Sequence, residues 1–141
     1  EGVSIGGYCN HGWFHESLVR LLRNHGVNAY AQEFRSVDVS PENKTFEINS
    51  LEEKMIDEGL AKIICEIDAN RPVMLSVSPG FNTNKENHLV LIIGYDFSDK
   101  NEKFIIHDPD AATEKMAHSE MSVDIAKIRK FWRKFAIFSY L

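Results

Sequence analysis

Apolar positions along this chain recur at two periods, and the alternation between them lays out the fold. GWFHESLVRLLRNH, residues 12–25, sets Phe14, Leu18, Leu21, Leu22 and His25 at helical spacing and predicts an amphipathic helix. Gly26 follows the last periodic position and predicts its C-cap. VNAYAQEF then alternates, which predicts a strand over 28–34. Residues 35–49 are polar, and Pro41 and Asn43 mark a loop. Ser50 and Glu53 form a capping box that opens a helix over 51–69, with Met55, Leu60, Ile63, Ile64 and Ile67 apolar and Gly59 a weak point in its middle.

Arg71-Pro72 ends that helix. Strands are predicted over 73–78, 88–97, 103–107 and 134–140, with a polar loop at 79–87 and a short turn at 98–102. DPDAATEKMAHSEM reads as irregular, and SVDIAKIRKFW, 122–132, as a short helix with Ser122 or Asp124 near its start. Trp13 and Trp132 read as core or cleft-rim aromatics, with core preferred. Helix and strand come first, then a helix, then strands in hairpin succession. That order predicts an α+β fold with an antiparallel sheet.

Composition narrows the class. The 141 residues suit one domain, 1–141, with a true core, and no repeat or linker divides them. The formal charge of −5 argues against a nucleic-acid partner and an anionic membrane surface. No apolar run approaches a membrane span, and the opening EGVSIGG shows no signal-peptide pattern. Two cysteines cannot build a disulfide framework.

The chemistry concentrates at two strand ends. KENHLVLIIGYD puts His88 at the head of a nearly continuous apolar strand, and FIIHDPD ends the next strand in Asp108. If these strands form a hairpin, the start of the first lies beside the end of the second. A carboxylate there can hold an imidazole by one nitrogen and leave the other free, the orienting half of a nucleophile–base–orienter triad. The same spacing also suits a purely structural hydrogen bond.

The remaining candidates carry less. His11 and His15 stand at i, i+4, but HGWFH lacks the glutamate of HExxH and a third ligand, so no metal is expected. No cofactor is expected either. His25 reads as a helix-end residue favoured by the dipole, and His118 as a loop residue. His107 points to the face opposite Asp108. Cys65, between Ile64 and Ile67, reads as inert core. Cys9 lies just before the predicted 12–25 helix, where a thiolate is stabilised, and the order Cys9, His88, Asp108 is that of papain-like triads.

NRPVMLSVS, HLVLIIGYD, FIIHDPD and FWRKFAIF together resemble the papain-like cysteine peptidases of the bacteriocin-processing type, and more closely their sister family within cysteine peptidase family thirty-nine. GWFHESLVRLLRNHGVNAYAQEF resembles that family's second helix. The resemblance implies a papain-like fold, His88 as catalytic base, Asp108 as its orienter, and a peptide or protein substrate. It also implies a bacterial, extracellular or cell-surface setting. The family's nucleophile stands in a Cys-Gly motif after a Gln, whereas Cys9 is followed by Asn10 and His11, and Gln32 is the only Gln. The expectation is therefore that the chain is the larger C-terminal part of the domain, with the nucleophile upstream and Cys9 a second candidate. Phe81, in the loop bordering the cleft, is a candidate substrate contact. Two competing readings remain: an inactive papain-like module that binds a peptide or partner protein, and an acyltransferase on a similar fold.

Overall fold

A computed structural model describes residues 1, 3–4, 6–9, 12–35, 50–81, 88–98, 100–109 and 120–140. The predicted loop at 35–49, apart from Arg35, falls outside these residues, as do the stretch 82–87 and the segment 110–119.

The chain opens with a small hairpin, β1 (Tyr8–Cys9) and β2 (Gly12–Trp13), paired antiparallel. Helix α1 (His15–Asn24) follows. It begins three residues later than the periodicity predicts, because Gly12 and Trp13 pair back onto β1 instead of winding into the helix. Its end is as predicted. Gly26 takes a left-handed φ of 80°, and Val27 N–H donates to Leu22 O at 3.0 Å, which closes a Schellman turn.

Strand β3 (Asn28–Glu33) leads on to α2 (Ser50–Asp68). The second helix closes in the same way: Asn70 adopts φ 57°, and Arg71 N–H donates to Glu66 O at 2.9 Å. Then come β4 (Val73–Val77), a 3-10 turn at Pro79–Phe81, β5 (His88–Asp96) and β6 (Lys103–His107). β7 (Met121–Asp124), α3 (Ile125–Phe131) and β8 (Trp132–Tyr140) complete the order. β7 corrects the predicted 122–132 helix. Its residues pair with β6, Ser122 against Ile105, and the helix starts only at Ile125.

Six strands form one antiparallel sheet in the order β3-β8-β4-β5-β6-β7. Alternation sorts its side chains onto two faces. On one, Ile56, Leu60 and Ile63 of α2 pack on Val73, Leu75, Val90, Ile92 and Phe138. On the other, Val19, Leu18 and Leu22 of α1 pack on Ala29, Ala31, Met74 and Ile137. A bulge between Ile92 and Gly94 shifts the alternation of β5, so that Ile92 and Tyr95 both serve the α2 side.

Gly59, the weak point of the predicted helix, packs close against the rings of Trp132 and Phe34. Trp132 is core, 3% exposed, whereas Trp13 is 40% exposed and is not core as the sequence suggested.

Candidate active site

Every strand of the sheet reverses the direction of its neighbour, so one end of the sheet gathers the start of β5 and the ends of β4, β6 and β3. His88 opens β5 opposite Val77, the last residue of β4. β6 pairs with β5 from Leu91–His107 onward. Continued by one residue, that register sets Asp108 against Val90, two positions from His88 on the same face. The two side chains are therefore diagonal cross-strand neighbours, within reach for an imidazole and a carboxylate.

They meet. His88 Nε2 lies 2.5 Å from Asp108 Oδ1, with side chains 15% and 12% exposed. An ionised carboxylate only accepts, so Nε2 carries the hydrogen, and Nδ1 keeps its lone pair. Among the described residues Nδ1 has no hydrogen-bond partner. Burial of both groups shields the bond from water and fixes the plane of the ring. His107, half-buried opposite Leu91, lies on the other face, as alternation predicts.

The same sheet end receives the start of α1. The His15 ring stacks on Phe135 of β8, with centroids 4.0 Å apart and planes 15° apart. Phe135 pairs with Glu33, the last residue of β3. Burial pushes the His15 imidazole below its usual range, against a weaker opposing pull from the Glu33 carboxylate. His15 is thus taken up in packing. His11, its partner in the metal reading, lies outside the described residues, as does His118. His25 sits just past α1, with Nε2 2.9 Å from Glu1 Oε2.

The cysteines depart from the sequence reading. Cys9 belongs to β1, opposite Gly12, so β2 intervenes between it and the helix. The hairpin is tied to the helix start by Phe14 N–H donating to Gly7 O at 2.9 Å. Cys9 therefore does not stand at a helix N-terminus. Cys65 is exposed instead of core, because it lies on the flank of α2 away from Ile56, Leu60 and Ile63.

Phe81, expected at the cleft, is 6% exposed and belongs to the core. Sequence reasoning also missed what holds this end together: Ser78 N–H donates to Phe131 O at 3.0 Å, and Lys134 bonds Glu52 with side chains only 16% and 6% exposed. Pro79-Gly80 signalled a turn, but nothing in the sequence signalled its anchor.

A family model described as the Peptidase_C39 like family matches residues 22–138, most of the chain. The chain belongs to the Peptidase_C39 like family. The match takes in α1 from Leu22, β3 to β7, β8 as far as Phe138, and both His88 and Asp108. A C39-like domain of this kind is a papain-like α+β cysteine peptidase domain, which agrees with the helices and antiparallel sheet. No curated protein and no solved structure matches the chain. Among the described residues of this C39-like domain, no helix is long and apolar enough to cross a membrane.

Proposed function

We propose that this domain supplies the base and its orienter to a cysteine peptidase that hydrolyses peptide bonds. The observation that carries the reading is the 2.5 Å bond from His88 Nε2 to Asp108 Oδ1, which leaves Nδ1 available at the end of the sheet. In this reading Nδ1 takes the proton of a cysteine thiol, and the thiolate attacks the substrate carbonyl. The imidazolium, held by Asp108, returns the proton to the leaving amine. Water, deprotonated by the same imidazole, then hydrolyses the thioester. The nucleophile comes from a segment N-terminal to Glu1. Cys9 is the second candidate; it lies in the hairpin that precedes α1, without the helix N-terminus that would favour its thiolate.

The test uses the full-length protein with quenched fluorescent peptides and iodoacetamide labelling read on each cysteine. Cleavage should vanish in His88→Ala and fall about 100-fold or more in Asp108→Asn. One cysteine should label fast below pH 7 and slow down in His88→Ala. If Cys9 is that cysteine, the upstream nucleophile is wrong. Unchanged cleavage in His88→Ala would refute the whole reading. The place of Cys9 also favours a second reading, a peptide-binding module without a nucleophile. It predicts peptide binding with no fast-labelling thiol and no cleavage.

A further inference from the structure

We infer that Phe81 is a positioning residue for His88, acting through the end of β4; the inference rests on reading His88 as the base. The backbone of β5 is held unevenly. Leu91 and Ile92 are laddered on both sides, to β4 and to β6, and Gly94–Asp96 pair with β6. Over His88, Leu89 and Val90 the ladder among the described residues runs to β4 alone, through Val77, Ser76 and Leu75. The backbone of the base is therefore only as well placed as the last residues of β4.

Those residues end in a turn with an unusual backbone. Gly80 and Phe81 are consecutive left-handed residues, at φ 63° and 51°. Glycine takes that conformation freely, but a phenylalanine does so against the clash of its own Cβ. It persists where the surroundings over-determine it, and here they do. The Phe81 ring is 6% exposed in the main core. Its N–H donates to Ser78 O at 3.0 Å, and Ser78 N–H donates to Phe131 O at 3.0 Å. Ser78 is itself 6% exposed. The anchored ring holds the turn, the turn holds Ser78 against the end of α3, and Ser78 fixes Val77, the register partner of His88. Release of the ring would fray the last rung of the ladder. His88 would then lose the backbone placement that sets its ring against Asp108.

The experiment reads the His88–Asp108 bond directly, without substrate. In proton NMR of the full chain, the His88 Nε2–H hydrogen should give a strongly deshielded, slowly exchanging signal, assigned by its loss in Asp108→Ala. The signal should broaden away in Phe81→Ala, and in Gly80→Ala, which strains the turn without touching the core. It should persist in Phe104→Ala, an equally large core truncation at the far end of β6. Retention in either Phe81→Ala or Gly80→Ala, whichever folds, overturns the inference. Loss in Phe104→Ala overturns it too, since general loosening would then suffice. Absence of the signal in the unmodified protein removes the dyad and the functional reading with it.

Discussion

Gly59→Ala should destabilise this protein, although in most helix interiors that substitution helps. Alanine gains about 1 kcal/mol over glycine in helix propensity. Here a methyl group would overlap Trp132 Cη2 and stand 3.0 Å from both Cδ1 and Cγ of Phe34. Neither ring can yield easily. Trp132 is 3% exposed and Phe34 4%, and the two rings already pack with centroids 5.4 Å apart. The indole N–H also donates to Phe135 O at 3.1 Å, so the ring cannot slide without loosening that bond. Overpacking of this kind costs about 1–3 kcal/mol, and a weakened hydrogen bond adds up to about 1. Set against the propensity gain, the balance spans about 0–3 kcal/mol with a midpoint of about 1.5, a fall in Tm of about 5 °C for a chain of this length. Urea and thermal melts of Gly59→Ala measure it, with Ala61→Gly on the exposed side of α2 calibrating propensity in the same helix. In a Trp132→Phe background, where Cη2 is gone, Gly59→Ala should cost much less. A Gly59→Ala protein more stable than the parent, or an equal effect in both backgrounds, would refute the close-approach argument.

Other outcomes follow from the buried polar groups. Ser76 is 1% exposed and its Oγ has no hydrogen-bond partner among the described residues, so Ser76→Ala should raise stability by about 1 kcal/mol in urea melts. Lys134→Met removes the ammonium from Glu52, a largely buried carboxylate that has a further partner, and should cost about 1–3 kcal/mol by the same measurement. His15 has a lowered pKa in the folded state, so the unfolded chain takes up the proton first. Its contribution to stability is complete above the usual value of 6.5 and is lost as the pH falls from there through the folded pKa. The urea midpoint should therefore drop between pH 7.5 and 5.5, and His15→Leu should flatten that slope.

The proximity of His88 and Asp108 was legible because it needed only local rules: two apolar runs, a short turn between them, and one polar residue at each matching end. The second helix and its stop were legible for the same reason. What failed was decided by pairing at a distance. Met121–Asp124 carries a helix-start signal in Ser122 and Asp124, yet β6 claims it as a strand. Gly12–Trp13 continues a helical pattern, yet it folds back on Tyr8–Cys9. Cys65 sits among isoleucines, but 3.6 residues per turn carry it to the flank of the helix away from the core. Phe81 stands in a polar loop, and only the core explains why a ring from that loop is buried.

The place of β8 in the sheet has a consequence for synthesis. It follows every other described strand, yet it lies between β3 and β4 and pairs with both. A nascent chain whose β8 is still inside the ribosome can form the hairpins of β4, β5 and β6, but it cannot join them to β3. Two sheet edges then stay open at once, one of them β4, whose Val73, Leu75 and Val77 are fully buried in the finished sheet. Closure depends on contacts of long sequence separation, which form slowly. The sheet should therefore close only once β8 has left the ribosome, and its half-sheet intermediate is the species on which chaperones and aggregation would compete.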